Sequence, residues 1–397
     1  MNTKNPWLLP DGVRDILPAE AWTVERLRAA ALRWLGSCGY ELVRPPLVEF
    51  VDSLLTGSGE DLDLQTCKVV DHASGRMMGV RPDMTPQVAR LDARVLDLDA
   101  PARLCYAGPV LRAQTSEPGM ERESLQCGAE LFGSAGPRGD CEIIQVMLGM
   151  LRRLGVAAPH LDLGHVGIYR GLAAACGLSL EMRDALFDAL QRKSAPDTAA
   201  LLDAAGLEAR QRERFAALAE LSGGGEVLER AAEQLGDAAP PVQHALANLR
   251  AVAEEVAALC PEVPLHIDLG ELRGYRYHTG VVFAVFTPGR GNALALGGRY
   301  DDIGAAFGRA RPATGFSTDL RQVAQTAQST QTITDTDDAD AITAPWDRDP
   351  ALRDAIDRLR DAGERVVVRL PEESEAAAGR KLVCGAGGEW QVTGNQG

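Results

Sequence analysis

The feature that most constrains the fold is a long helical stretch that separates two strand-rich parts of the chain. Residues 170–258 are rich in alanine, leucine and charged residues and follow a helical pattern, broken by glycines at 223–225 and prolines at 240–241. Strand patterns precede this stretch, within 67–133, and resume at 265–286. A sheet that continues on both sides of a helical segment predicts an α+β fold with a helical insertion.

These patterns predict a division of the chain into five segments. The segments are a first part of the core at 1–169, a helical insertion at 170–262, a second part of the core at 263–323, a linker at 324–340 and a C-terminal α/β segment at 341–397. The linker prediction rests on a composition of alanine, glutamine, threonine, serine and aspartate. In the last segment we expect one helix at 349–362 and one strand at 365–370, which suffice only for a small α/β remnant.

Charge and hydropathy exclude several classes of protein. Lysine and arginine number 41 against 56 aspartates and glutamates, a net charge of −15, which argues against a generic nucleic-acid binder without excluding a local basic groove. Apolar runs stay well short of the roughly 20 residues that span a bilayer, and the first residues do not resemble a signal peptide. Eight cysteines without a Cys-x-x-Cys pair favour free thiols in a reducing cytoplasm, and the histidines show no metal-ligand spacing. We therefore expect a cytoplasmic protein with no metal site and no membrane partner.

One predicted strand, residues 123–132, has a polar face. Gln126, Gly128 and Glu130 alternate on that face with Phe132 at its end, whereas the opposite face is apolar. An amide, a glycine and a carboxylate on one side of a strand are not typical of a dry core. This alternation predicts the floor of a polar pocket, in which the glycine leaves room for a ligand.

Three clusters combine charged side chains with small residues at predicted strand ends. They lie at 80–90, 106–130 and 271–301. Each cluster alone could be a set of Arg–Asp pairs that hold strands together. Three such clusters, arranged around one predicted sheet, favour a binding site instead. Nucleotide-binding glycine loops and the common hydrolase motifs are absent from the sequence.

The clusters resemble the signatures of histidyl-tRNA synthetase over about residues 8–320. The segment 9–18 is similar to that family's opening, and 39–49 resembles motif 1 of the class II core. The cluster at 106–130 resembles motif 2, while 272–277 and 297–301 resemble the two histidine-specific signatures. The resemblance implies a class II aminoacyl-tRNA synthetase-like antiparallel sheet flanked by helices.

The resemblance also implies a histidine site. The positions that match the synthetase's histidine-binding residues are Asp83, Thr85, Arg112, Gln126, Glu130, Arg273, Tyr277 and His278. Carboxylates suit the ammonium or imidazole of histidine, and guanidinium groups suit its carboxylate. Arg112 matches the motif 2 arginine, which also binds the α-phosphate in the synthetase, and His278 stands where the family has a second tyrosine.

The ATP-binding positions of the synthetase are not kept. Met120 replaces a phosphate-binding arginine, and Ser124 replaces the aromatic residue that stacks on adenine. The motif 3 arginine is replaced by Gln322, and the neighbouring Arg321 is one residue out of register, which turns its side chain by about 100° on a helix. We therefore expect no catalytic residue and no cofactor in this chain.

This combination resembles the branch of the family that serves as regulatory subunit of ATP phosphoribosyltransferase. The resemblance implies a role in the first step of histidine biosynthesis, which joins ATP and phosphoribosyl pyrophosphate, with L-histidine as feedback effector. It also implies a short-form catalytic subunit as partner and a homodimer, built on motif 1, within a hetero-oligomer. Only residues 341–397 follow the linker, where a synthetase has a full anticodon-binding domain, so tRNA is not expected as a partner.

Two alternatives stay open at this point. The chain could be an active histidine-tRNA ligase with altered ATP contacts. It could instead be a scaffold that has lost ligand binding altogether, although the retained pocket residues argue against this.

Overall fold

The computed structural model describes residues 7–57, 60–96, 98–115, 121–272, 274, 277–326, 341–370 and 379–394. Two of the residues discussed above, Met120 and Arg273, and most of the predicted linker, 327–340, lie outside the described residues. The chain forms two compact units, residues 1–328 and 329–397. Each unit is described by itself.

The first unit contains twelve described strands. They are β1 (Glu41–Leu42), β2 (Val48–Phe50), β3 (Cys67–Val70), β4 (Met77–Val80), β5 (Ala102–Leu111), β6 (Glu123–Phe132), β7 (His160–His165), β8 (Ser222–Gly223), β9 (Leu265–Asp268), β10 (Val281–Phe286), β11 (Ala295–Arg299) and β12 (Ala313–Asp319). Nine of them form one sheet in the order β1-β5-β6-β12-β11-β10-β7-β9-β8, and β2, β4 and β3 form a small second sheet. Within the large sheet β1 pairs with β5 and β7 with β9 in parallel, and the other described pairs are antiparallel.

Helices flank this sheet. They are α1 (Pro18–Ser37), α2 (Val51–Leu54), α3 (Glu60–Gln65), α4 (Thr85–Leu91), α5 (Pro137–Arg153), α6 (Val166–Ala175), α7 (Leu180–Gln191), α8 (Ala195–Ala204), α9 (Ala209–Glu220), α10 (Glu226–Leu235), α11 (Pro240–Leu259) and α12 (Leu320–Thr326). A π-helical turn follows α4 at Asp92–Leu96, and a 3₁₀ turn lies at Ile303–Phe307. The predicted α+β class, with a largely antiparallel sheet flanked by helices, is confirmed.

The spacing of apolar residues accounts for how α5 packs. Cys141, Ile144, Leu148 and Leu151 are buried at intervals of three and four, which places them on one helix face. This face supports β12 and packs beside α1 and α11. Helix α5 therefore covers one side of the sheet.

The helical stretch predicted at 170–258 is observed as α6 to α11, with one strand that the sequence did not indicate. β8 contains only two residues and pairs with β9, so the insertion adds an edge strand to the core sheet. A two-residue strand inside a glycine-rich break carries no alternation from which it could be predicted.

The second unit contains more strands than the sequence predicted. A sheet in the order β14-β13-β15-β16 is formed by β13 (Ile342–Ala344), β14 (Val366–Val368), β15 (Lys381–Cys384) and β16 (Trp390–Thr393), and α13 (Pro350–Asp361) packs on it. The expectation of one strand was therefore wrong. The extra strands are three or four residues long, which is too short for a clear alternating pattern.

Candidate functional site

The floor of the candidate site is the centre of the large sheet. On β6, Glu130 lies opposite Gly315 of β12, and Gly128 lies opposite Tyr106 of β5. A Cβ atom added at Gly315 would overlap Oε2 of Glu130. One added at Gly128 would lie 2.6 Å from the Tyr106 hydroxyl. The two glycines therefore leave the space that the polar side chains occupy.

Glu130 is the hub of the polar cluster. Its side chain is buried, with 1% of the residue exposed. Oε1 accepts hydrogen bonds from the Tyr106 hydroxyl at 2.9 Å and from Thr85 Oγ1 at 3.0 Å. Oε2 accepts a hydrogen bond from the Tyr300 hydroxyl. Both carboxyl oxygens are thus held in place before any ligand enters.

Burial raises the pKa of Glu130 to about 8, and the negative charge of Asp83 acts in the same direction. The hydrogen bonds from Tyr300, Tyr106 and Thr85 oppose this shift in pKa. A buried carboxyl group ionises at a cost in desolvation, which a cation or a strong hydrogen-bond donor beside it offsets. The site therefore favours a ligand that carries a cation or a strong hydrogen-bond donor.

The raised pKa predicts a pH dependence of stability for the ligand-free protein. Since the pKa of Glu130 is higher in the folded state than the ordinary value of 4.5, folding favours the protonated form. The contribution of Glu130 to the free energy of unfolding is full below pH 4.5 and is lost as the pH rises to about 8. Denaturant titrations across this range should therefore show wild type losing stability relative to Glu130→Gln.

A matched control for this experiment is Glu229→Gln, which removes an exposed carboxylate on α10 paired with Arg250. Between pH 4.5 and about 8, wild type should not lose stability relative to Glu229→Gln, in contrast to its expected loss relative to Glu130→Gln. Parallel pH profiles for wild type and Glu130→Gln would contradict the assignment of a raised pKa.

A loop before α4 lines one wall of the site. Gln126 Nε2 donates to Asp83 Oδ1 at 2.8 Å, and Gln126 Oε1 accepts from the Met84 amide at 2.9 Å. The Thr85 amide also donates to Asp83 Oδ1, at 3.0 Å. These bonds join the loop to the floor and place Thr85 beside Glu130.

The rings of Tyr277 and His278 line another side of the site. Tyr277 stacks on Tyr300 with ring centroids 5.2 Å apart, and His278 meets Tyr277 edge-on at the same distance. A Cβ atom at Gly298 would lie 2.6 Å from Cδ2 of His278, so the histidine lies directly against the sheet. Among the described residues, the buried Tyr277 hydroxyl has no hydrogen-bond partner. A buried hydroxyl in this position is available to a ligand.

A cavity of about 260 Å³, called the second cavity to distinguish it from the polar cluster around Glu130, adjoins that cluster at Gln126. Polar and charged residues in its lining include Gln65, Arg112, Gln114, Thr115, Glu121, Ser124, Gln126, Ser317, Thr318, Asp319 and Gln322. Within the part of the chain that the structure describes, Arg112 is its lining cation, against the carboxyl groups of Glu121 and Asp319. Burial raises the pKa of Asp319.

The arginine that is one residue out of register does not compensate for the missing phosphate ligand. Arg321 pairs with Glu121 and Glu123, each at 3.1 Å, and does not line the second cavity. Gln322, at the position of the synthetase arginine, accepts a hydrogen bond from Arg290 at 3.1 Å. The surroundings of this cavity are thus unsuited to a triphosphate.

The structure brings most of the sequence-predicted site residues together. Asp83, Thr85, Gln126, Glu130 and Tyr277 share the hydrogen bonds and ring contacts around the floor, as described above. The other three predicted residues are placed differently: His278 joins through Tyr277, Arg112 lines the second cavity, and Arg273 lies outside the described residues.

The sequence analysis missed Tyr106 and Tyr300, which both donate to Glu130. Tyr300 lies inside the signature at 297–301, and Tyr106 begins the motif 2 cluster. Their places within these two motifs were the available sequence signals, whereas the register that sets Tyr106 opposite Gly128 is seen only in the sheet.

The described residues hold no group of three or more His, Cys, Asp or Glu side chains that could bind a metal ion. In the same residues no helix is long and apolar enough to cross a membrane.

Fold and site together define a histidyl-tRNA synthetase-like protein of class II. The family model for histidyl-tRNA synthetase matches residues 12–323. A histidyl-tRNA synthetase from Nostoc has the same fold, with a TM-score of 0.77 and 18% identity over 98% of this chain and 97% of that one. A second family model, "ATP phosphoribosyltransferase subunit HisZ C-terminal domain", matches residues 339–393.

Relatives that match over nearly the whole chain show to which branch of this class it belongs. Proteins named ATP phosphoribosyltransferase regulatory subunit are 51% identical in Pseudomonas savastanoi, over 99% of both chains, and 50% identical in Alkalilimnicola ehrlichii, over 97% of this chain and 96% of that one. A solved structure from Bacillus halodurans, described as an ATP phosphoribosyltransferase regulatory subunit/histidyl-tRNA synthetase, has a TM-score of 0.82 and 27% identity, and covers 94% of this chain and 96% of that one. The chain belongs to the family of ATP phosphoribosyltransferase regulatory subunits.

Proposed function

We propose that this chain senses L-histidine in the site around Glu130 and transmits its occupancy to a catalytic subunit of ATP phosphoribosyltransferase. As a member of the regulatory-subunit family, the chain acts in histidine biosynthesis and is not itself the catalyst. The catalytic subunit in this proposal is the short form, which lacks its own regulatory domain. The proposed location is the cytoplasm.

The observation that carries the proposal is the prearranged carboxyl group of Glu130. Histidine offers an ammonium and an imidazole, each of which can donate to a buried carboxyl group whose pKa is raised by burial. The unpartnered Tyr277 hydroxyl supplies a further bond. Arg112, in the adjoining cavity, and Arg273 are the proposed partners of the ligand's carboxylate.

The second cavity argues against the alternative of an active ligase. Adenine would lose the aromatic face that Ser124 replaces, and phosphates would face Glu121 and Asp319. Each lost stacking or charged contact costs roughly 1–3 kcal/mol. The net charge of −15 further argues against tRNA as a partner.

Transmission of the histidine signal requires two states of the complex that bind histidine differently. A coupling free energy of about 1–3 kcal/mol corresponds to roughly 5- to 150-fold modulation. We propose that the complex that changes between these two states is a hetero-oligomer in which two copies of this chain form a dimer.

The test combines calorimetry with an activity assay of the purified complex. Histidine should bind the isolated chain with measurable heat and should inhibit the complex with the short-form catalytic subunit. The isolated chain should show no histidine-dependent ATP–pyrophosphate exchange, with a histidyl-tRNA synthetase as positive control. Exchange would establish the ligase alternative, and a titration without heat or thermal shift would favour a scaffold without a ligand.

A further inference from the structure

A buried ion pair lies beside the site and joins helix α5 to strand β11. Asp140, in the first turn of α5, is 0% exposed, and Arg299, the last residue of β11, is 6% exposed. Arg299 Nε donates to Asp140 Oδ2 at 3.1 Å, and Arg299 Nη2 lies 3.0 Å from Asp140 Oδ1. Desolvation largely offsets the attraction within a buried ion pair, so stability alone does not account for this pair.

The Arg299 guanidinium is the centre of a wider set of hydrogen bonds. Nη1 donates to the Ser134 carbonyl at 2.9 Å and to Asp301 Oδ1 at 3.1 Å, and Nη2 donates to the Gly136 carbonyl at 3.2 Å. A Cβ atom at Gly280 would lie 2.8 Å from Cδ of Arg299, so the glycine leaves room for the arginine side chain. The planar group is thus held by α5, by the turn before α5 and by the residues that follow β11.

Tyr300 lies between Arg299 and Asp301 in the chain, and the backbone around it is fixed. The Asp301 amide donates to Thr279 Oγ1 at 3.0 Å, and Asp301 Oδ1 accepts from the Ala313 amide at 2.9 Å. The Tyr300 amide donates to the Ala313 carbonyl at 2.8 Å. Since both neighbours of Tyr300 are bonded to other segments, they determine where its side chain starts and in which direction it points.

Tyr300 carries this constraint into the site. Its buried ring stacks on Tyr277, and its hydroxyl donates to Oε2 of Glu130. A hydroxyl stabilises an ionised carboxylate only while distance and direction stay within the range of a hydrogen bond. A shift of the backbone at 299–301 would therefore weaken the ionised form of Glu130, which a cationic ligand requires.

We propose that Arg299, together with Asp140 and Asp301, is a positioning residue of the histidine site. It keeps the Tyr300 hydroxyl on Glu130 without touching the ligand itself. This inference rests on the proposed function, because it takes histidine as the ligand. The signature at 297–301 then combines one residue that contacts the carboxyl group with two flanking residues that hold it in place.

The first test is a calorimetric double-mutant cycle at pH 7. Arg299→Lys keeps a positive charge opposite Asp140 but loses the guanidinium fork. We expect the histidine Kd to rise about tenfold in this variant and in Tyr300→Phe, because each loses a hydrogen bond to a charged group. The double variant should bind little worse than either single variant, because the guanidinium acts through the hydroxyl. Unchanged affinity of Arg299→Lys, or an additive loss of about 100-fold in the double variant, would overturn the proposal.

The matched control is Arg311→Lys, the same change in another buried ion pair of the first unit. Arg311 is 8% exposed, pairs with Asp92 at 2.9 Å and donates to the carbonyls of Leu98 and Ala100. This variant should bind histidine as wild type does. An equal loss of affinity in the two lysine variants would show a general weakening of the structure and would contradict a positioning role.

The second test needs no ligand, because it follows the ionisation of Glu130. The titratable and hydrogen-bonding groups that face Glu130 are Asp83, Thr85, Tyr106, Tyr277 and Tyr300. The Tyr300 hydrogen bond lowers the pKa of Glu130, so its loss in Arg299→Lys should raise that pKa further. A higher pKa in the folded state enlarges the loss of stability as the pH rises and extends it above a pH of about 8.

Denaturant titrations of wild type and of Arg299→Lys, each compared with the same chain carrying Glu130→Gln, measure this effect. The loss of stability with rising pH should be larger in the Arg299→Lys pair. Equal losses in the two pairs would contradict the proposal whether or not histidine binds.

Failure of the proposed function is distinguishable from failure of this inference. Wild type that gives no heat with histidine would refute the histidine site, while the ligand-free titrations would still decide the positioning role. If circular dichroism shows Arg299→Lys unfolded, Asp301→Asn replaces it in both tests, because this side chain is 39% exposed and the change is milder. Asp301→Asn should raise the histidine Kd several-fold and enlarge the pH-dependent loss of stability. Wild-type behaviour in both would overturn the proposal.

Discussion

Gly315→Ala should reduce histidine affinity by about 100-fold, equivalent to roughly 3 kcal/mol of overpacking at a filled site. The added Cβ atom would overlap Oε2 of Glu130, and Ala129 O lies 2.8 Å from the same position. The Glu130 carboxyl must then leave the geometry in which Tyr106, Thr85 and Tyr300 hold it. Calorimetric titration with histidine measures the effect.

The control for Gly315→Ala is Gly36→Ala on α1, where a Cβ atom meets nothing within 4 Å. That variant should bind histidine as wild type does and should be slightly more stable, because alanine is the better helix former. Circular dichroism of Gly315→Ala shows whether the protein is still folded, and so whether a loss of histidine affinity comes from the added Cβ atom in the site or from unfolding. Wild-type affinity in a folded Gly315→Ala would refute the placement of the histidine site over this strand pair.

Glu130→Gln should weaken histidine binding by about 10- to 150-fold, because a hydrogen bond to a charged group contributes roughly 1.5–3 kcal/mol. The amide keeps the shape of the side chain but cannot carry the negative charge that a cationic ligand requires. Hydroxyl groups that face the amide oxygen can still donate to it, and a hydroxyl group that faces the amide nitrogen can rotate to accept from it, so the fold should persist. Feedback inhibition of the complex should decline while activation of the catalytic subunit is retained.

Activity of the reconstituted complex over a histidine series measures this effect, with Glu364→Gln as the matched control. Glu364 pairs with Arg380 within the second unit, whereas the residues that form the floor of the site belong to the first unit. The control should leave the inhibition curve in place. An unchanged inhibition curve for Glu130→Gln would exclude this carboxyl as the sensor.

The sequence predicted the polar face of β6 well, for a physical reason. Side chains alternate strictly along a strand, so Gln126, Gly128 and Glu130 had to share one side wherever the strand was placed. Helix α5 was equally predictable, because its buried residues follow the helical period. Local periodicity thus accounts for the elements that build the floor.

Short elements and long-range contacts were not predictable in this way. β8 pairs with β9 across more than forty residues of chain, and nothing in its two residues indicates it. The partners of Arg321 could not be predicted from the sequence either. The sequence showed only that this arginine lies one residue away from the position of the motif 3 arginine. Its ion pairs with Glu121 and Glu123 depend on how α12 packs against the end of β6.

The sequence by itself determined the family, the α+β class and the identity of most polar residues around the site, because these depend on residue types at fixed spacing. Only the tertiary structure decided how they act together. It placed the hydroxyls of Tyr106 and Tyr300 on Glu130 from two other parts of the chain, and it buried the carboxyl deeply enough to raise its pKa to about 8. Burial and pairing across the sheet depend on strand order and register, which local sequence patterns do not specify.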